Sequence, residues 1–124
     1  MAIELDWESK RVLVMRYKGM VQGREFLDAT LKVSGDPRFE DLHSILSDWS
    51  EIKKTDLSVD DIKELAVYIG LLAQTNGTIK NATVTSKDEA GQSLASFYKH
   101  LTRELSWEVD SFNDVESARF WFSE

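Results

Sequence analysis

Residues 44–65 read SILSDWSEIKKTDLSVDDIKEL, and the pattern changes twice along this stretch. Residues 44–49 are continuous enough in apolar character for a buried central strand. The polar run after Trp49 predicts a turn. Ser58 then opens a helix: its hydroxyl can accept from the Asp61 backbone N–H, worth about 1 kcal/mol. Asp60 and Asp61 in the first turn favour the positive helix end. Ile62, Leu65, Ala66, Ile69, Leu72 and Ala73 follow at helical spacing, so a helix is predicted over 57–75, with Asn76-Gly77 as a left-handed stop. A strand feeding a helix through a polar loop is the unit of a parallel sheet. It puts Trp49 at the carboxyl end of its strand, where α/β proteins keep binding sites.

Upstream, Ile3, Leu5 and Trp7 alternate with Glu4, Asp6 and Glu8, a period-two strand with one wet face. Ser9-Lys10 leaves room only for a tight turn before the strand over 11–18, so these two strands are antiparallel, and Gly19 ends the second. A helix is predicted over 23–33, with Phe26, Leu27, Thr30, Leu31 and Val33 on or near one face. Downstream, 78–85 is a strand rich in β-branched residues. Ser86-Lys87-Asp88-Glu89 has capping-box spacing with Ser86 as N-cap, and Asn113 and Glu116 repeat that spacing. The helices they open bury Tyr98 and its neighbours, and Ala118 with Trp121. Between them, 107–112 is a short strand. The order β-β-α-β-α-β-α-β-α predicts the α/β class: one mainly parallel five-stranded sheet with an antiparallel first strand and four helices. Residues 1–124 suit one domain.

Lys and Arg total 15 against 22 Asp and Glu, a formal net charge of -7. Such a surface repels phosphate backbones and anionic membranes, so nucleic acid is not an expected partner. No apolar run is long enough to span a bilayer, and the opening MAIELDWESKRV has no apolar h-region. No stable membrane insertion and a cytoplasmic address are therefore expected. The chain has no cysteine, which removes thiol catalysis, disulfides and thiolate metal sites. His43 and His100 have no i, i+4 partner and no carboxylate pair at ligand spacing, so neither metal nor cofactor is expected. No nucleophile elbow, dinucleotide fingerprint or P-loop occurs, and Asp60-Asp61 reads as a helix start rather than an acid–base dyad. The chain is expected not to be an enzyme.

One set of short motifs, in order, carries a family likeness: Tyr17-Lys18-Gly19, Gly23-Arg24-Glu25-Phe26, Asp36-Pro37-Arg38-Phe39, Asp48-Trp49-Ser50 and Asp56-Leu57-Ser58. Their order and spacing resemble the STAS-like superfamily of the anti-anti-sigma factors, and within it a group of small bacterial proteins. The resemblance runs through most of the chain and implies a STAS-like fold and a regulatory, protein-binding role. In the anti-anti-sigma factors a strand leads into Asp-Ser-Ser-Gly at a helix start, and phosphorylation of a serine there controls binding to a kinase. Here Asp56 aligns with the motif aspartate, Leu57 with the first serine and Ser58 with the second, while Val59 replaces the glycine.

Together these readings make Asp48, Ser50, Thr55, Asp56 and Ser58 the expected partner-binding or phospho-switch residues. The partner would be a protein, and a homodimer is one form of it. The alternative is a carrier of a small apolar ligand or lipid, since the wider superfamily includes CRAL-TRIO-type lipid-transfer proteins. Its pocket would draw on Trp49 and Ser86 and would need several hundred Å³.

Overall fold

In the computed structural model, which describes residues 2–86 and 88–124, the elements follow the predicted order. They are β1 (Ile3–Trp7), β2 (Val12–Val21), α1 (Gly23–Ser34), a short 3₁₀ turn (Pro37–Asp41), β3 (Ser44–Thr55) and α2 (Val59–Leu72). Then come β4 (Lys80–Val84), α3 (Glu89–Leu101), β5 (Glu108–Phe112) and α4 (Val115–Phe122). The sheet runs β1-β2-β3-β4-β5, with β1 antiparallel to β2 and the other pairs parallel. This is the expected α/β fold class.

Three parallel crossovers advance in one direction across the sheet. Right-handed crossovers of that kind put their helices on one face. α1, α2 and α3 accordingly share the core that holds Leu13, Met15, Tyr17, Ile45 and Trp49. α4 packs on the other face, where Ala118, Trp121 and Phe122 meet Val14, Leu46, Ala82 and Val84. Beyond α4 that second face is polar and carries the ion pairs Arg16–Asp6 (3.1 Å), Lys18–Glu4 (3.2 Å) and Arg119–Glu8 (2.8 Å). The Arg119 guanidinium holds the Glu8 carboxyl below its ordinary range.

β2 and β3 run further than the sequence suggested. β2 continues past Gly19 to Val21. β3 continues to Thr55, so Trp49 lies inside the strand rather than at its end. β4 leaves β3 at the pair Asp48↔Val84, whereas β2 accompanies it to Thr55↔Val21. The register shifts twice on the way, between Arg16 and Lys18 and between Gly19 and Met20. Gly19 supplies the second shift with a φ of 67°, a left-handed conformation that favours glycine. Such bulges bend a strand pair. The resulting ribbon stands clear of β4, and its solvent exposure is why Glu51, Lys53 and Lys54 are tolerated in a strand.

The helix ends also differ from the sequence reading. Gly19 has the only positive φ among the described residues, so Asn76-Gly77 is not a left-handed stop. Asn76 is instead buried. Its Nδ2 donates to the carbonyls of Phe39 and Leu42, both at 2.9 Å, and its own carbonyl accepts from Trp107 Nε1 at 2.6 Å. α3 is capped by Asp88, which accepts from the N–H groups of Ala90 (3.3 Å) and Gly91 (3.2 Å). α4 is capped by Asp114, which accepts from Ser117 N–H at 2.7 Å. Ser86 and Asn113 lose these roles because an ionised carboxylate is the stronger acceptor. Lys87, a member of the expected Ser86 box, lies outside the described residues.

Candidate interaction site

The carboxyl end of β3 brings the first turns of α1 and α2 together. α1 has Gln22 as its N-cap residue, and Glu25 accepts from Gln22 N–H at 2.6 Å. A second acid reaches the start of α1 from across the fold: Asp56 Oδ1 accepts from Gly23 N–H at 2.6 Å. α2 has a reciprocal cap. Ser58 Oγ accepts from Asp61 N–H (3.2 Å), while Asp61 Oδ2 accepts from the Ser58 N–H and hydroxyl, both at 3.0 Å. Thr55 Oγ1 accepts from Leu57 N–H at 3.1 Å and tightens the link between strand and helix. A Cβ placed on Gly23 would strike the Asp61 carboxylate and come within 3.3 Å of Leu57 Cα, so any larger residue would have to push Asp61 or the helix start aside. Thr55, Asp56, Ser58 and Val59 are nonetheless exposed. The corner is therefore held by hydrogen bonds and accessible at once.

Asp48 and Ser50 do not join it. Asp48 Oδ1 accepts from the N–H (2.9 Å) and hydroxyl (2.6 Å) of Ser50, a local pair at the first bulge. Leu46 belongs to the α4 core, and Ile45 and Trp49 belong to the other. Strand alternation thus puts Asp48 on the α4 face, away from Ser58.

Two depressions flank the corner. Between α1 and α2 an open groove of about 390 Å³ is lined by Leu27, Leu31, Val67, Tyr68 and Leu71, with Lys63 and Glu64 at its rim. Val67 is 70% exposed, Leu71 56% and Leu31 43%, although Leu31 was expected in the buried stripe of α1. Ser34 Oγ and Tyr68 Oη, 3.0 Å apart, tie the two helices across the groove. On the other side a crevice of about 120 Å³ lies between the β3 extension and the start of α3, with Ile52, Leu57, Thr85, Ser86 and Asp88 in its walls. Ser86 stands there as an exposed residue whose Oγ accepts from Asp88 N–H at 3.4 Å. Trp49 forms part of the crevice wall but is otherwise interior, edge-on to Phe26 (5.4 Å) and Tyr17 (6.3 Å). Beneath it the core holds a cavity of about 40 Å³. That is far below what a carrier of a drug-sized or lipid ligand encloses, so the interior gives the carrier alternative no support.

Four residues that build this site were not among the expected site residues: Gly23 and Asp61, read only as motif and helix-start residues, and Val67 and Leu71, not read at all. Val67 and Leu71 fall off the buried stripe of α2, and that offset was the available signal. No group of three or more His, Asp or Glu able to hold a metal ion occurs among the described residues, and none of their helices is long and apolar enough to cross a membrane.

No protein-family model and no curated protein matches the chain by sequence. Solved structures do match by fold. The anti-sigma factor antagonist SpoIIAA in its unphosphorylated form superposes with a TM-score of 0.62 at 11% identity, covering 96% of this chain and 94% of that one. An uncharacterised DUF3478-family protein from Shewanella loihica PV-4 with a SpoIIAA-like fold gives 0.57 at 16% identity, covering 98% and 92%. The chain has the STAS-like fold. At these identities the likeness is one of architecture, and it extends over nearly the whole of each chain.

Proposed function

We propose that this chain is a non-enzymatic regulatory module. It binds a protein partner through the Asp56–Ser58 corner and the adjoining groove between α1 and α2. The observation that carries this reading is the exposed row Leu31, Val67 and Leu71 on an acidic protein of net charge -7. Contiguous exposed apolar surface of this kind marks interaction sites. The capped helix starts beside it hold its shape before any partner arrives, which lowers the ordering cost of binding. The shared fold with an anti-sigma factor antagonist, solved in its unphosphorylated form, supports the regulatory part.

Ser58 is the hydroxyl that a phospho-switch would use. A phosphate there carries roughly two negative charges. It would displace the hydroxyl that now bonds Asp61 at 3.0 Å and set those charges against Asp61 and Asp56. Modification would thus act by opening the corner rather than by adding a contact. A second copy of the chain is one candidate partner, because the groove rim carries both signs at Lys63 and Glu64, as a self-complementary contact needs.

The test is affinity capture from the native host, with native mass measurement of self-association. Wild type and Lys10→Glu, changed in the turn at the opposite end of the sheet, should hold the same partner. Val67→Glu and Ser58→Asp should weaken it at least tenfold. Full retention by Val67→Glu, or loss in Lys10→Glu alone, overturns the reading.

A further inference from the structure

Inside the core, under α1, α2 and α3, polar side chains from four elements converge on the 40 Å³ cavity: Tyr17, Ser47, Trp49, Asn81, Thr83 and Tyr98. One side of this cluster is closed by hydrogen bonds. Tyr98 Oη donates to Asn81 Oδ1 at 2.9 Å, and Asn81 Nδ2 donates to the Ile45 carbonyl (3.2 Å) and Ser47 Oγ (3.4 Å). The other side is not closed. The Trp49 indole N–H is fully enclosed, in a residue only 7% exposed, and has no hydrogen-bond partner among the described residues. A buried donor without an acceptor costs about 1–3 kcal/mol. Buried polar groups of native proteins are almost always satisfied, by protein or by a bound molecule.

The cavity wall specifies what would satisfy it. Among the described residues no charged side chain lines it, so an ionic guest would have no counter-charge there. Burial raises the pKa of both Tyr17 and Tyr98 well above the ordinary phenol range, so both stay protonated donors. The Ser47 hydroxyl and Trp49 indole near the Tyr17 phenol pull the other way, more weakly. The volume exceeds the roughly 10–15 Å³ that one water molecule needs. Phe26 and Trp49 line both this cavity and the surface crevice, so the two spaces are separated by little more than these rings.

We infer that the cavity is a binding site for one neutral oxygen acceptor, which accepts a hydrogen bond from Trp49 Nε1–H and bonds the Tyr17 and Ser47 hydroxyls. Two sources supply that chemistry. One is an ordered water molecule. The other is the hydroxyl or carbonyl end of a small uncharged molecule whose remainder lies in the crevice. The site is independent of the partner-binding reading.

The experiment is NMR of the ¹⁵N-labelled protein, with the Trp49 indole signal assigned from its contacts to Phe26 and Tyr17. A cross-peak between that proton and long-lived water, with the sign of a bound molecule, supports the site and assigns it to water. Addition of acetamide or 1-propanol that shifts the Trp49 signal saturably and removes the water peak supports the site and assigns it to a small ligand. Acetate should do neither. The inference is overturned by absence of both responses, or by acetate binding as well as acetamide. It is also overturned if Tyr17→Phe moves the indole signal to its unbonded position, which would mean that Tyr17 itself is the acceptor.

Discussion

Replacing Gly23 with alanine tests the corner most sharply, because two physical arguments give opposite signs. A glycine in a helix ordinarily costs roughly 0.5–1 kcal/mol relative to alanine, so Gly23→Ala should stabilise, less at a first position than in an interior. The packing says otherwise. The new methyl lands on the Asp61 carboxylate and 3.3 Å from Leu57 Cα. Asp61 cannot yield freely, since its Oδ2 holds both the N–H and the hydroxyl of Ser58 at 3.0 Å. Moving it breaks the α2 cap, at about 1 kcal/mol. Moving α1 instead lengthens the 2.6 Å bond from Gly23 N–H to Asp56, a part-buried helix-start bond worth about 1 kcal/mol. Either route exceeds the muted propensity gain, and a net loss of about 0.5 kcal/mol is expected. With an m value of roughly 2 kcal/mol/M, the urea midpoint falls by about 0.25 M, read by tryptophan fluorescence. In an Asp61→Ala background the same substitution should cost less, giving a coupling of about 0.5 kcal/mol or more. A Gly23→Ala protein as stable as wild type would refute the account of the corner.

Asp56→Ala should lower stability by about 1 kcal/mol, or about 3–5 °C in melting temperature, and Asp56→Asn by roughly half that; calorimetry showing no change would remove Asp56 as the α1 cap. The Asp36 carboxylate, bonded to the Arg38 guanidinium and N–H, has its pKa lowered from 3.8 to about 2. Because the folded value is depressed, its stabilising contribution is present above the unfolded value of about 4 and fades as pH falls through about 2. Carboxyl-carbon NMR should place its midpoint near 2 in wild type and return it toward 3.8 in Arg38→Ala. Tyr98→Phe takes the donor from buried Asn81 Oδ1 and should cost about 1–3 kcal/mol in urea unfolding, with partner capture unchanged; a cost under about 0.5 kcal/mol would mean that Asn81 is satisfied without it.

Much of the architecture could be read from local pattern. The alternation of Ile3, Leu5 and Trp7, the short Ser9-Lys10 turn and the serine cap at Ser58 each follow from a few adjacent residues, and each stands in the structure. The errors arise where the deciding partner is distant. Glu51, Lys53 and Lys54 read as a turn because nothing local announces that β2 alone will accompany them. Ser86 and Asn113 are the local exception: each had the spacing of a cap, but an acidic neighbour lay closer to the helix start. At the candidate site, Ser58 and Asp56 were visible through motif order, and the separation of Asp48 and Ser50 from them follows from strand parity, obscured by the misplaced end of β3. Gly23 was unreadable as a contact residue: its constraint comes from Asp61 in another helix. The orphaned Trp49 N–H likewise depends on where Tyr17, Ser47 and Asn81 arrive from separate strands.

Photo-cross-linking from a benzoylphenylalanine at Val59, beside the corner and half exposed, measures recognition at this surface most directly. In cells of the native host it should yield one discrete cross-linked protein, traced by mass spectrometry to contacts with the first turn of α2. The same group at Lys10 should yield none. Cross-links from Lys10 with none from Val59 would contradict the account.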